Sequence, residues 1–237
     1  MNCKEEFSRS ARILGTAAVD RLASARVAVF GVGGVGGYVL EALVRAGVGK
    51  ITVVDADTVS ESNLNRQILA TTETVGQPKT TAAAARARAI NPDVIIAELP
   101  VFVEEETAAA LIETAAPDYI VDAIDTVSAK VGIIRAAKAQ GIPIISSMGT
   151  GNKLDPTKLT VTDISKTSIC PLARAMRTRL RREGIAHLDV LFSTELPLTP
   201  LESEEQNGRH LPASTPFVPA AAGLVIAAYV TRKILQI

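Results

Sequence analysis

The sequence contains no tryptophan, and aromatic residues make up 3% of it. Stacking of nucleobases on aromatic side chains is therefore not a visible device, and the core must be largely aliphatic. Cysteine occurs twice, as Cys3 and Cys170. No Cys-x-x-Cys pair exists, which excludes a four-cysteine zinc site and argues against a disulfide framework. Histidine also occurs twice, as His187 and His210. Neither has a ligand set nearby in sequence, so both read as structural or exposed. Net charge is absent too: 25 basic and 25 acidic residues cancel, and no global field draws the protein to nucleic acid or membrane. The apolar run PFVPAAAGLVIAAYV at 216–230 holds two prolines and is followed by Thr231, Arg232 and Lys233. A spanning helix needs about 20 apolar residues, so the run is expected as a buried core helix, with no integral membrane span. The start, MNCKEEFSRSAR, is charged and lacks the apolar stretch of a signal peptide. A cytoplasmic location is expected.

What is present is ample for a core: 47% of the 237 residues are hydrophobic. Short apolar strands are expected at 27–31, 51–54, 94–99, 119–123 and 143–147. Helices are expected at 34–46, from Pro78 to Ile90, over a stretch opened by Glu104, Glu105 and Glu106, and at 127–140. That alternation predicts an α/β fold, a doubly wound, mostly parallel Rossmann-like sheet. After Gly151 the pattern changes. KLTVTDIS and LDVLFS read as an antiparallel C-terminal extension, with the basic helix PLARAMRTRLRREG between them. The stretch 200–215 reads as a polar loop with a disordered character, and 216–235 as the last helix. One domain is expected over 1–237: an N-terminal helical arm (1–26), a nucleotide-binding half (27–151) and the C-terminal part (152–237).

The first strand runs into GVGGVGG, where Gly31, Gly33 and Gly36 have GxGxxG spacing and Gly34 and Gly37 are extras. Gly31 permits the tight turn, Gly33 lets amides approach a phosphate, and Gly36 lets the helix pack against the strand. The helix N-terminus favours an anion. Asp55 ends the second strand, where a carboxylate accepts both hydroxyls of a ribose. At this point NAD, FAD, S-adenosylmethionine and ATP all fit.

The next residues narrow the choice. A triphosphate carries nearly four negative charges and needs cations close by. Arg66 offers paired guanidinium donors and Lys79 a mobile point charge, while Asn63, Asn65 and Gln67 are neutral donors for phosphate oxygens. Each, taken alone, also suits a solvated surface. In YIVDAIDTVSAK, Asp122 and Asp125 sit at the end of an apolar strand. Asp125 suits a magnesium ion bridging phosphates, or else the N-cap of the helix that follows. Asp122 suits a structural hydrogen bond.

GVGGVGG at 31–37, DAD at 55–57, SNLNRQ at 62–67, VGQPK at 75–79 and DAIDT at 122–126, in that order, resemble the E1-like superfamily of adenylating enzymes. The resemblance covers nearly the whole chain. It implies ATP and magnesium as cofactors, with Gly31, Gly33, Gly34, Gly36, Asp55, Asp57, Asn63, Asn65 and Gln67 around the nucleotide. It also implies Arg66 and Lys79 on the phosphates and Asp125 on the metal. It implies a homodimer as well, in which Arg12 (Arg9 is the alternative) reaches the partner's ATP. Two CxxC zinc pairs common among sulfur-carrier-activating relatives are missing. The ARILG start, the stretch SMGTGNKLDPTKLTVTDISKT, the basic helix and FSTE are similar to the tRNA threonylcarbamoyladenosine dehydratase branch. That branch would activate a threonyl carboxylate by adenylation and close a ring on the modified tRNA base. The alternative is an adenylyltransferase acting on the C-terminal carboxylate of a ubiquitin-like or sulfur-carrier protein. A nucleotide-binding module or NAD-dependent oxidoreductase is the third reading, and Arg66, Lys79 and Asp125 speak against it.

Two features stay open. Cys170 precedes Pro171 at a helix start, which suits a sulfur acceptor or a packed residue. The helix at 174–182 carries five arginines, which suit tRNA phosphates, a solvated face, or acid pairing.

Overall fold

A computed structural model describes residues 4–201, 205–206, 209–210 and 212–237. The strands are β1 (Arg26–Phe30), β2 (Lys50–Val54), β3 (Ile95–Leu99), β4 (Tyr119–Asp122), β5 (Ile144–Ser147), β6 (Leu159–Asp163) and β7 (Asp189–Ser193). They form one seven-stranded sheet in the order β3-β2-β1-β4-β5-β7-β6. The first five strands are parallel, and β7 runs parallel to β5. The antiparallel extension is the β6–β7 pair, with β6 at the edge. Chain order reverses between β1 and β4, so the two crossovers that leave them diverge to opposite sides.

Eight α-helices cover the sheet among the described residues: α1 (Ser8–Leu14), α2 (Thr16–Ser24), α3 (Gly36–Ala46), α4 (Lys79–Ile90), α5 (Ala108–Ala115), α6 (Val127–Ala139), α7 (Pro171–Arg182) and α8 (Phe217–Leu235). Side chains alternate across a strand, and β1 shows the result. Val27 and Val29 join the core beneath α3, α4 and α8, whereas Ala28 and Phe30 join the core beneath α5, α6 and α7. Both faces are therefore apolar, as a parallel sheet requires. The helix expected to open with Glu104, Glu105 and Glu106 begins instead at Ala108; the glutamates lie in the turn before it, which Thr107 Oγ1 closes by accepting from the Glu104 amide at 3.0 Å.

The apolar run at 216–230 lies in a 19-residue helix, α8, which by length and composition alone would suffice for a span. Its Val218, Ala222, Ile226 and Val230 are buried against the sheet. Gly223 lets α8 lie close on α3, because a Cβ there would lie 2.5 Å from the Val35 carbonyl and 2.6 Å from Tyr38 Cβ. Part of the 200–215 loop expectation lies outside the described residues, as do Cys3 and the side chain of His210. Within that stretch Glu205–Gln206 pairs antiparallel with Arg209–His210.

Glu41 joins α3 to α4. It is buried, and its carboxylate accepts from Arg86 Nε at 2.6 Å and from Arg45 Nε at 2.8 Å. Burial pushes its pKa up, but the hydrogen bonds and charges of Arg86 and Arg45 outweigh that and leave it below its ordinary value of 4.5. A depressed carboxyl stabilises the fold fully above its unfolded value, and that contribution is lost as pH falls through the lower folded value. Urea midpoints measured between about pH 6 and about pH 3 are expected to decline less steeply in Glu41→Gln than in the wild type.

Candidate nucleotide-binding site at the carboxyl edge

The parallel strands end together on one edge, and the turn after β1 opens the site there. Gly31 has φ +83°, and a Cβ on it would lie 2.9 Å from both the Ala123 carbonyl and Ile124 Cγ2. A Cβ on Gly36 would lie 1.8 Å from the Gly31 carbonyl oxygen. No side chain survives at that distance, so α3 starts directly against the end of β1. Gly33 and Gly34 are left half-exposed at the tip of the turn. The amides of Gly33, Gly34 and Val35 have no acceptor among the described residues. Three free donors at a helix N-terminus make an anion site.

Asp55 braces this turn. Its Oδ2 accepts from the Val32 amide at 2.8 Å and its Oδ1 from the Asp57 amide at 2.9 Å. Asp57 in turn holds the expected cation: Lys79 Nζ donates to Asp57 Oδ2 at 2.7 Å, and the Lys79 amide donates to the Asp57 carbonyl at 2.9 Å. Lys79 is 6% exposed at the first residue of α4. It is therefore not a solvated surface lysine.

The segment at 60–67 folds as a 3-10 turn, Glu61–Asn63, followed by further turns. Asn63 is buried and spends its Oδ1 on the Ser60 amide at 3.2 Å, in a reciprocal cap. It supports the segment from inside. Arg66 is half-buried, and its Nη1 donates to the Ser62 carbonyl at 2.6 Å and to Asn65 Oδ1 at 2.9 Å. Arg66 Cγ lies 3.8 Å from where a Gly34 Cβ would sit, and Gln67 Nε2 lies 3.7 Å from the same point on Gly33. Arg66 and Gln67 thus flank the free amides. Gln67 is buried, and its Oε1 has no partner. Asn65 Nδ2 donates to the Ser214 carbonyl at 3.0 Å, which brings the start of α8 onto this wall.

β4 supplies the other wall. Asp122 is fully buried, and its Oδ2 accepts from Lys130 Nζ at 2.9 Å and from Ser146 Oγ at 2.6 Å. Its Oδ1 accepts from the Ile124 amide at 3.3 Å. The expected structural role of Asp122 is what its geometry provides. Asp125 is exposed in the turn that follows and touches the Thr126 hydroxyl at 3.4 Å. It does not cap α6, whose N-cap is Thr126. Arg12 is exposed on α1, in an arm whose Phe7 packs on Gly47 at the C-terminal end of α3. Within one chain that is the end of α3 opposite the glycine turn, so Arg12 is not brought to the site.

Cys170 is buried in the core under α7, together with Met148, Ala173 and Met176. His187 is exposed, with Nδ1 3.2 Å from Asp163 Oδ2. On α7, Arg177 bonds Thr167 and Arg179 lies 3.5 Å from Glu105, whereas Arg174, Arg181 and Arg182 are exposed. The five arginines therefore divide between acceptors within the fold and solvent.

The ThiF family matches this chain over residues 7–237. The chain belongs to the ThiF family. Among relatives, it is 40% identical over 242 residues to the tRNA threonylcarbamoyladenosine dehydratase of Bacillus subtilis, covering 98% of this chain and 95% of that one. It is 37% identical over 205 residues to the enzyme of the same name from Escherichia coli, covering 83% of this chain and 76% of the other. Among solved structures, the E. coli dehydratase TcdA in complex with ATP superposes with a TM-score of 0.89 at 33% identity, covering 98% of this chain and 94% of that one. Of the residues expected around the nucleotide, Arg66 and Gln67 flank Gly34 and Gly33, Asp55 bonds the Val32 amide and Asp57 bonds Lys79, while the turn that leads to Asp125 packs on Gly31.

Sequence reasoning gave no role to Lys130, Ser146 or the segment 213–219. One signal was available for Lys130, a lone lysine in the otherwise apolar stretch around VSAKVGII. Removing its charge leaves Asp122 buried without a counterion. Lys130→Met is expected to lower unfolding stability in urea by about 3–5 kcal/mol. The double variant Lys130→Met/Asp122→Asn should recover most of that loss.

Proposed function

We propose that this protein is an ATP-dependent tRNA threonylcarbamoyladenosine dehydratase, working as one ATP-binding unit over 1–237. The observation that carries the reading is the set of free amides at Gly33, Gly34 and Val35 flanked by Arg66, in a chain that resembles the B. subtilis dehydratase almost end to end. The amides and Arg66 suit the phosphates of ATP, and Asp55 suits the ribose. Lys79 reaches the phosphates by exchanging Asp57 for a phosphate oxygen, a short move for a flexible ammonium.

Magnesium fits the residues present. No group of three or more His, Cys, Asp or Glu suited to a metal occurs among the described residues, and Asp125 offers a lone exposed carboxylate. Magnesium is commonly held by one or two carboxylates plus phosphate oxygens. Asp125 would hold it, and the ion would neutralise charge on the phosphates.

The reaction is a carboxylate activation. A threonyl carboxylate oxygen on the modified base attacks the α-phosphorus of ATP, and pyrophosphate leaves. The tethered carbamoyl group then attacks the acyl carbon, loses a proton, and AMP leaves. The net change in the base is loss of water. Tethering supplies the high effective molarity that makes an enzyme nucleophile unnecessary, which agrees with a buried Cys170. The chain's own work is to place the reactants and stabilise charge with Arg66 and Lys79. In a homodimer, Arg12 would supply a further cation to the partner's ATP. Arg174, Arg181 and Arg182 suit tRNA phosphates. A tRNA substrate and soluble, cytoplasmic operation complete the reading.

Purified protein incubated with ATP and tRNA carrying threonylcarbamoyladenosine is expected to release AMP and cyclise the base. AMP release with a Gly-Gly-ended sulfur-carrier protein instead would favour the adenylyltransferase reading. Arg66→Ala is expected to lower acceptor-dependent pyrophosphate exchange by at least about 100-fold. Full exchange in a folded Arg66→Ala protein would remove Arg66 from the mechanism.

A further inference from the structure

Lys153 is 3% exposed. Its Nζ makes one hydrogen bond, to the Gly149 carbonyl at 3.1 Å, and among the described residues no carboxylate lies within ion-pair distance of it. The two other buried lysines differ: Lys79 is paired with Asp57 and Lys130 with Asp122. A buried charge without a partner is strongly unfavourable. Burial accordingly pulls the Lys153 ammonium below the ordinary lysine value, and Cys170 and Glu195 nearby oppose that pull. Glu195 does not pair with it, because its carboxylate is taken by the Leu154 and Asp155 amides at 2.9 and 3.0 Å.

The position of this lysine is fixed by the sheet. Asp122 on β4 is in register with Ser146 on the neighbouring strand β5. Asp125 and Gly149 each follow three residues later, so their loops leave the carboxyl edge side by side, strands being about 4.8 Å apart. The lysine is tied to one loop and Asp125 is carried by the other. The backbone around it is held unusually firmly. Asn152 has φ +59°, its amide donates to the Ala213 carbonyl at 2.7 Å, and its carbonyl accepts from the Leu198 amide at 2.8 Å. Two residues beyond Ala213, Thr215 Oγ1 is shielded from solvent without a partner, as is Asn152 Oδ1. The strap at 213–215 reaches the phosphate wall through Ser214 and Asn65. Two unpaired buried polar atoms, Asn152 Oδ1 and Thr215 Oγ1, thus lie where the strap meets the loop that carries Lys153.

We infer that Lys153 receives the acceptor's carboxylate and holds it for attack on the α-phosphorus, an assignment that rests on the adenylation reading above. The incoming carboxylate is the counterion that the fold withholds. In this role Lys153 selects an acid over a neutral group of the same shape.

The test compares two ligands. One is tRNA carrying threonylcarbamoyladenosine, and the other is the same tRNA with the threonyl carboxylate converted to a primary amide. Binding is measured with a non-hydrolysable ATP analogue present. The wild type is expected to prefer the acid by at least about 30-fold, and Lys153→Met to bind both equally. ATP affinity should stay within about twofold, since the lysine is not assigned to the phosphates. Lys153→Arg keeps the charge and is expected to retain a preference for the acid, which separates loss of charge from loss of folding. An undiminished preference in Lys153→Met overturns the assignment. A wild type that binds ATP but neither binds the modified tRNA nor releases AMP with it overturns the dehydratase reading, whereas a wild type that releases AMP with it yet shows no preference for the acid overturns the assignment of Lys153 alone.

Discussion

The contact between Gly31 and Gly36 governs the rest of the site. A peptide oxygen occupies the space where a side chain of Gly36 would be, so α3 begins at the very end of β1. That contact leaves three amides without acceptors at the start of a helix. It also places the turn between two segments, one after β2 that carries Asp55, Asp57, Arg66 and Lys79, and one after β4 that carries Asp125. A wider turn would let the helix shift and would separate the free amides from Arg66.

Charge at this edge is arranged as cations kept in reserve. Lys79 rests on Asp57 and Arg66 on the Ser62 carbonyl and Asn65. Both partners are weaker than a polyphosphate, so an anion can displace them with little rearrangement. Lys130 works differently. It is locked between Asp122 and Ser146, and it stabilises the turn that packs on Gly31 and carries Asp125. One buried lysine is therefore locked into the fold, while Lys79, under the proposed function, would exchange its partner for a phosphate. Lys153 belongs with the second kind, since it has the burial of Lys130 but no carboxylate.

The C-terminal part is joined to the nucleotide half by packing rather than by a separate core. α8 lies on α3 through Gly223, Pro219 touches the glycine turn, and the strap before α8 bonds both Asn65 and Asn152. The two sides of the carboxyl edge are thereby tied together by the strap. Reactions that depend on placement rather than on an enzyme nucleophile need that arrangement.

Much of this was legible along the chain. The alternation of apolar strands with helices, the glycine turn, Asp55 at a strand end and the order of Arg66, Lys79 and Asp125 are local patterns. Periodicity and turn chemistry are encoded within a few residues. The membrane-length helix was also read as core, because prolines and flanking charge interrupt its apolar run. Other features required the folded chain. That β7 inserts between β5 and β6, that Lys79 is buried on Asp57, and that Asp125 leaves the cap to Thr126 are outcomes of long-range packing. Nothing in GNKLD marks its lysine as buried, yet Lys153 is among the most buried polar residues. Burial of a charge depends on elements distant in sequence closing around it, here the segments that bring Cys170 and Glu195 near Lys153, and no local pattern carries that information.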